Sequence, residues 1–400
     1  MTGIKKAVII GGGVAGPAIA IALRKAGIDS AVYEAYATAS DDAGGVLMVA
    51  PNGINALRLI GIDIESLDGI GQPIQRQVIS DNSGKRLFEF AGIPGLPASQ
   101  VIWRGELCRA LKVRAESLGI TIELGKRLVE VEEHPDGITA RFADGTTASG
   151  DILIGADGIR STVRRLIDPS APEPEYVGLL GFGGYASGSG VAEPTDVMHF
   201  LYGRHAFMGY WNQPDGGVIW FSNLARESPV GYAEARKIAT SDWLRELSAV
   251  HADDVPGREL IAHTKPDDLF VLGAMYILPS IPRWHRGRLV LVGDSAHAPS
   301  SSSGQGVSLA LESAIELARC LRDLPGFATA FTVYERMRRP RVEKVAAEAA
   351  KTNARKAGGP IAKAVMSLLM PIATKTFLTP EKMFGWVHRY RVPWDEDIAA

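Results

Sequence analysis

Residues 6–34 read KAVIIGGGVAGPAIAIALRKAGIDSAVYE, and this stretch decides the fold. Ala7 to Ile10 is a continuous apolar run, the pattern of a strand buried on both faces of a parallel sheet. It runs into Gly11-Gly12-Gly13-Val14-Ala15-Gly16, which satisfies G-x-G-x-x-G, and then into an apolar helix from Pro17 to Lys25 that Gly27 stops. Ser30 to Glu34 reads as a second strand ending in an acid. In such a unit Gly11 makes the tight turn, Gly13 admits a pyrophosphate close to the backbone, and Gly16 lets helix and strand approach. Glu34 stands where a carboxylate can accept the ribose hydroxyls of an adenosine. The pattern predicts a dinucleotide-binding α/β unit without separating FAD from NAD.

A second stretch, Leu289 to Ala314 (LVLVGDSAHAPSSSSGQGVSLALESA), reads as a buried strand, an acidic turn at Gly293-Asp294, a small-residue loop and a helix opening near Gly304. Bare backbone N–H groups at such a helix start favour an anion or an electron-rich oxygen, so the stretch suits a cofactor seat. An ordinary strand-loop-helix connection is the other reading.

Between these stretches, Asp151 to Ser161 (DILIGADGIRS) is another buried strand ending in an Asp-Gly turn and is expected to rejoin the first sheet. Strand signals stand at Thr121–Glu123, Arg127–Glu133 and Ile138–Phe142, with hairpin-like Asp-Gly turns at Pro135–Gly137 and Ala143–Gly145. Arg104 follows Ile102-Trp103 at the start of a helix; a cation there opposes the dipole, which points to an anionic or polar partner. From about Pro172 to Pro282, aromatic runs such as Val197–Tyr202, Ala206–Trp211 and Gly217–Leu224 alternate with period two, predicting a mostly antiparallel sheet. Helices follow at 306–321 and 329–351, with an apolar, Met-containing segment at 359–377. The expected division is therefore a dinucleotide domain split into 1–171 and 283–345, an inserted β-sheet domain at 172–282 that faces substrate, and a C-terminal helical segment at 346–400.

Composition narrows the function. The 400 residues carry 43 basic and 45 acidic side chains, a formal charge of −2, which offers no field for nucleic acid or an anionic membrane. Cys108 and Cys320 lack metal-ligand spacing, so neither a zinc site nor a disulfide framework is expected. The apolar run after Lys5-Lys6 is broken by three glycines and Pro17, unlike a secretory signal. The apolar 361–373 segment contains Lys363 and falls well short of the ~20 residues of a transmembrane helix. A cytoplasmic protein, monomer or homodimer, is the expectation.

Taken together, GGGVAG at 11–16 with Glu34, GADGIRS at 155–161 and GDSAHAPSSSSGQG at 293–306, in that order, resemble the single-component FAD-dependent monooxygenases, which include para-hydroxybenzoate hydroxylase, salicylate hydroxylase and the tetracycline-inactivating monooxygenases. Arg104, in the pattern R-x-x-L-x-x-x-L with Leu107 and Leu111, matches the family's arginine beside the flavin chain. The resemblance implies that Gly11, Gly13 and Gly16 hold the FAD pyrophosphate, Glu34 the adenosine ribose, and the Leu128 backbone the adenine. It further implies that Arg104 and Asp294 contact the flavin's linking chain, that Asp157 serves the dinucleotide and reductant regions, and that Gly304, Gln305 and Gly306 place backbone donors near the isoalloxazine. The chain departs from the family at Ser300-Ser301, where many members have Pro-Pro, at Ser308, where many have Asn, and at Ala35, which replaces an arginine.

The implied reaction takes NADPH or NADH and O2 and hydroxylates an aromatic or polycyclic molecule through a flavin hydroperoxide; the hard chemistry belongs to the cofactor, so no side chain is assigned as catalytic. A non-hydroxylating FAD oxidoreductase of the same fold (a Baeyer-Villiger oxygenase, dehydrogenase or reductase) and a non-catalytic flavin-binding protein are the alternatives. Candidate pocket residues are His199, Tyr210, Trp220 and Ser301, with Met366 and Met370 from the C-terminal segment.

Overall fold

The computed structural model describes residues 3–38, 45–65, 70–356 and 379–398. Its organising sheet has six strands in the order His285–Arg286, Leu289–Leu291, Ile152–Gly155, Lys6–Ile10, Asp29–Tyr33 and Thr121–Glu123. All neighbours are parallel except the first pair. Ile9 lies between Val32 and Ile154, and Val290 lies beyond Ile154. All four side chains are fully buried, which explains the unbroken apolar runs. The three motif-bearing strands are thus adjacent in space although about 140 residues separate each from the next.

Two helices cover the glycine-rich end of this sheet, Ala15–Lys25 and Gly306–Asp323, and they pack on each other. Their approach depends on missing side chains. A Cβ on Gly16 would stand 1.9 Å from the Gly11 carbonyl oxygen, and one on Gly293 (φ +67°) would stand 2.9 Å from the Ala15 methyl. The second helix opens at Gly306 rather than Gly304. Ser301–Ser303 forms a 3-10 turn, with the Ser300 hydroxyl accepting from Ser302 N–H, and Gly304 closes it in the left-handed conformation.

The large sheet has seven strands: Thr264–Ile277, Glu175–Ala186, Val218–Ala225, Phe207–Asn212, Val197–Tyr202, Arg76–Asp81 and Arg86–Ala91. Its pairs are antiparallel except Val197–Tyr202 with Arg76–Asp81. The 172–282 boundary therefore omits two strands that the sheet takes from residues 76–91. The same interval also holds helices at Thr240–Val250 and Gly257–Ala262 that strand periodicity did not reveal. Thr240–Val250 buries only Trp243 and Leu247 fully, a stripe too thin to announce a helix.

The two faces of this sheet do different work. Leu180, Phe182, Met208, Trp220, Trp243 and Leu260 form a closed core beneath the helices. On the other face, Met198, Trp211 and Ile219 meet Ile74 and Val101 of a small antiparallel sheet made by Val46–Val49, Ser99–Trp103 and Gly71–Ile74. That small sheet leads directly into the Arg104–Ser117 helix, so it joins the large sheet to the dinucleotide unit.

The chain continues through the long Phe327–Lys356 helix to a short one, Pro380–His388. Arginines clamp this C-terminal stretch against the parallel-sheet body: Arg341 donates to the Trp386 and Val387 carbonyls, Arg322 to Trp394 and Arg319 to Glu396. Met366 and Met370 lie outside the described residues. Among the described residues, no helix is long and apolar enough to cross a membrane.

Candidate cofactor and substrate site

The site forms where the parallel strands end. After Ile10, Gly11 takes φ +109° and donates its N–H to the Tyr33 carbonyl; a Cβ there would stand 2.4 Å from the Ala156 carbonyl oxygen. The next N–H, on Gly12, donates to Glu34 Oε2 at 2.6 Å, and Tyr36 N–H donates to Glu34 Oε1 at 2.9 Å. Glu34 is thus aimed by two backbone donors, and each oxygen keeps a lone pair for a further hydroxyl. Lys126 N–H donates to the Glu34 carbonyl, bringing the start of the Leu128 strand to the same corner.

Gly13 lies under Arg104: the nearest atom to a Cβ built on Gly13 is Arg104 Nη2, at 3.6 Å. Helix Ala15–Lys25 begins beside it with no side-chain cap and no acid in its first turn, leaving its first N–H donors for an anion. Arg104 also acts on Asp294. Burial pushes the Asp294 carboxyl up to about 6, with the Arg104 guanidinium pulling the other way. Yet the Asp294 side chain is open to solvent, and its carboxylate takes no hydrogen bond from a described residue. A solvent-open carboxylate ringed closely by protein is placed to accept a hydrogen bond from a hydroxyl that reaches it.

The GADGIRS and GDSAH loops are welded together. Ser295 Oγ donates to the Gly155 carbonyl at 2.6 Å, Val292 N–H donates to the same carbonyl, and the buried Arg164 donates to the Ser295 and Ile159 carbonyls. Asp157 is spent on its own loop. Ser161 Oγ donates to Oδ1, while the Thr162 and Val163 N–H groups donate to Oδ2, so the carboxylate caps the Thr162–Ile167 helix. Burial raises its pKa against the pull of these donors. The Gln305 side chain also turns inward, its Oε1 accepting from Asn52 Nδ2 at 3.0 Å. Gly306 is open, with nothing within 4 Å of a Cβ, and its helix has no side-chain cap, so backbone N–H groups are what this end presents.

Asn52, at the start of the Pro51–Leu59 helix, anchors a buried network. Its Nδ2 also donates to Glu312, which accepts from Arg338 and twice from Arg341. Burial would push the Glu312 carboxyl up, but Arg338, Arg341 and Asn52 outweigh it and hold it below the usual range. Through Arg341 the network reaches the C-terminal carbonyls and ties that stretch to the glycine loop at 304–306.

The pocket expectation is corrected by strand parity. His199 pairs with Tyr210, and Tyr210 with Trp220, so all three point to the helix-covered face. His199 stacks on Tyr210 at 4.6 Å and is buried, and Trp220 Nε1 donates to Thr264 Oγ1. None of the three can reach a ligand from that core. The dinucleotide side is lined by the alternate residues: Phe200 and Phe221 join the Met198–Trp211 cluster, and Trp103 packs edge-on against Phe270 at 5.3 Å. Ser301 is exposed at the loop tip. Leu278 N–H donates to the Ala298 carbonyl, so the end of the large sheet abuts the loop bearing Ser301.

Two other features stand apart from this cleft. Ser222, His251 and Asp254 form a hydroxyl-imidazole-carboxylate chain with 2.8 Å spacings, but all three are fully buried and no substrate can reach the serine. A cavity of about 470 Å³ between Trp284, His297 and the Arg339–Ala346 part of the long helix lies behind the Ala296–Pro299 loop, and no glycine of the three motifs lines it. Among the described residues, no cluster of His, Cys, Asp or Glu suits a metal ion.

The donor set fits FAD: uncapped helix starts and Gly13 for a pyrophosphate, Glu34 for a ribose, and Asp294 for a polyol hydroxyl. Comparison with known proteins agrees. The FAD binding domain family matches residues 5–349. The FAD-dependent urate hydroxylase of Klebsiella pneumoniae is 30% identical over 352 residues, covering 86% of this chain and 89% of that protein. The 3-amino-4-hydroxybenzoate 2-monooxygenase of Streptomyces cremeus is 32% identical over 360 residues, covering 84% of each. The crystal structure of Klebsiella pneumoniae HpxO with FAD and uric acid superposes with a TM-score of 0.81 at 28% identity over 97% of both chains.

Proposed function

The chain belongs to the FAD binding domain family and is an FAD-dependent monooxygenase; from that premise we propose that it uses NAD(P)H and O2 to hydroxylate an aromatic small molecule seated between the flavin cleft and the large sheet. The chemistry FAD supplies when bound is two-electron uptake from the reduced nicotinamide and activation of O2 for transfer to carbon. The chain's own residues bind, orient and exclude water. Gly11, Gly13, Gly16 and Arg104 hold the pyrophosphate and linking chain, Glu34 the ribose, the Leu128 backbone the adenine, and Asp294 a linking-chain hydroxyl. Asp157 acts by fixing the Thr162–Ile167 helix beside the Gly155 strand end. Backbone donors at Gly304–Gly306 face the flavin ring, where a helix N-terminus favours negative charge.

In this reading residues 1–171 and 283–345 form the flavin domain, less strands 76–91, which belong with 172–282 in the substrate-facing part; residues 346–400 brace the back. The protein works in the cytoplasm as a monomer or homodimer. The observation that carries the assignment is the convergence of Gly11–Gly16, Arg104 and Asp294 on one corner of the parallel sheet. The test is turnover of the FAD-loaded protein with a phenol panel under ¹⁸O₂. Labelled product with substrate-stimulated NAD(P)H oxidation is expected, and oxidised product without label rules out oxygen insertion.

A further inference from the structure

The cleft-facing side of the three central strands of the large sheet is set by parity. On it Met198, Trp211 and Ile219 are buried against the small sheet, and Phe200, Tyr202, Phe207 and Phe221 continue the face beyond them, with a glycine at 209 and an amide at 223. Rings of Phe200, Phe207 and Phe221 lie within 5.9–6.5 Å of one another. A Cβ on Gly209 would stand 2.3 Å from the Phe221 ring, so that ring lies flat on the strand and leaves a smooth apolar floor. At these positions there is no Lys, Arg, His, Asp or Glu.

Besides the Tyr202 phenol, Asn223 is the exception to the apolar pattern. It pairs with Gly181 and Phe207, is half-buried, and its Nδ2 lies 3.4 Å from Met275 Sδ. A thioether is a weak acceptor, so the amide donor holds a partner that an oxygen would readily displace. Met275 is three residues before Leu278, whose N–H reaches the Ala298 carbonyl, which sets the amide on the strand end next to the flavin loop.

Resting on the hydroxylase reading above, we propose that Asn223 is the polar anchor of the substrate seat and that the seat selects neutral planar aromatic compounds bearing a carbonyl or phenol oxygen over their carboxylated counterparts. An aromatic ring gains by lying on the phenylalanine floor. A neutral oxygen exchanges water for the Asn223 amide. A carboxylate would leave water with no cation on this face to meet it, which is unfavourable.

The experiment is calorimetric titration of the FAD-loaded full chain with two matched pairs: 2-naphthol against 3-hydroxy-2-naphthoate, and 4-hydroxyquinoline against 4-hydroxyquinoline-2-carboxylate. The neutral member of each pair is expected to bind at least about tenfold more tightly, one hydrogen bond plus an uncompensated charge being worth that much. Asn223→Leu is expected to weaken the neutral members about tenfold, with FAD content and melting temperature unchanged, and Asn223→Gln to recover part of the loss. Carboxylates binding as well as their neutral partners, full affinity in Asn223→Leu, or no binding by either neutral compound overturns the proposal. Neutral compounds that bind but neither stimulate NAD(P)H oxidation nor acquire ¹⁸O would instead defeat the hydroxylase reading and leave the anchor standing.

Discussion

Placing a methyl group on Gly13 and, separately, on Gly16 pulls cofactor binding apart from folding. At Gly13 the backbone does not take a positive φ, and the nearest atom to the new Cβ is Arg104 Nη2 at 3.6 Å, an ordinary contact. Gly13→Ala should therefore fold as well as the parent, and the smaller freedom of its unfolded chain can add ~0.4–1 kcal/mol. The methyl instead occupies the space into which a pyrophosphate must come to meet the bare N–H groups. Loss of two charge-assisted hydrogen bonds costs about 3 kcal/mol or more, about two orders of magnitude in Kd. At Gly16 the clash is internal: the Cβ would stand 1.9 Å from the Gly11 carbonyl oxygen, so the helix has to back away from the strand. That overpacking costs roughly 1–3 kcal/mol before any ligand is present. The assays are FAD titration of apoprotein by flavin fluorescence and thermal melting without FAD. Gly13→Ala should show a raised Kd with an unchanged or higher apo melting temperature, and Gly16→Ala a lowered melting temperature. A Gly13→Ala protein that binds FAD within about threefold of the parent refutes the placement of the pyrophosphate over that residue.

Three further outcomes are expected. Without cofactor the Asp294 carboxyl titrates at about 6, and a hydroxyl donor favours its ionised form, so FAD affinity should be flat at higher pH and fall as pH drops below about 6. Asp294→Asn should flatten that profile and Asp294→Ala should lose FAD; full flavin content in the alanine variant at neutral pH would refute the contact. Glu312→Gln removes the buried charge that holds Arg338 and Arg341, a loss of about 3–5 kcal/mol that should appear as a lower urea midpoint. Because the Glu312 pKa is held below its ordinary 4.5, its contribution is present above that pH and disappears as pH falls through the folded value, a decline the Gln variant should lack. Ser301→Pro should be tolerated, since Ser300 already has the extended conformation (φ −55°, ψ 143°) that precedes a proline and Ser301 opens its turn. An apo melting temperature at or above the parent's, with altered KM for aromatic substrates, is expected, and a markedly lower melting temperature would show that the serine loop needs its backbone freedom.

The dinucleotide half was legible in the sequence because its signals are local. An apolar run, three spaced glycines and an acid after the next strand specify strand, turn and helix within thirty residues, and they bring Glu34 against the glycine turn, where it accepts from Gly12 N–H. The same holds for the Gly293-Asp294 turn, where backbone conformation and side-chain chemistry are set by neighbours in the chain.

Locality fails at the substrate side. His199, Tyr210 and Trp220 look like a polar-aromatic pocket in the sequence, but a strand presents its residues to two faces in turn, and nothing in the strand says which face a distant helix will cover. Packing of Trp243, Leu247 and Leu260 settles it, assigning one parity to the core and leaving Phe221 and Asn223 on the opposite face. Strands 76–91 were missed for the same reason, since their partner, Val197–Tyr202, lies over a hundred residues away. Asn52, Gln305 and Glu312 are unremarkable in a list and become one network only when two helices bring them within hydrogen-bonding reach. The sequence by itself determined a dinucleotide site, because a nucleotide is held by short backbone motifs, and the order of three such motifs pointed to FAD; the tertiary structure decided which sheet face is closed, because burial is a property of what packs on a face rather than of the residues in it.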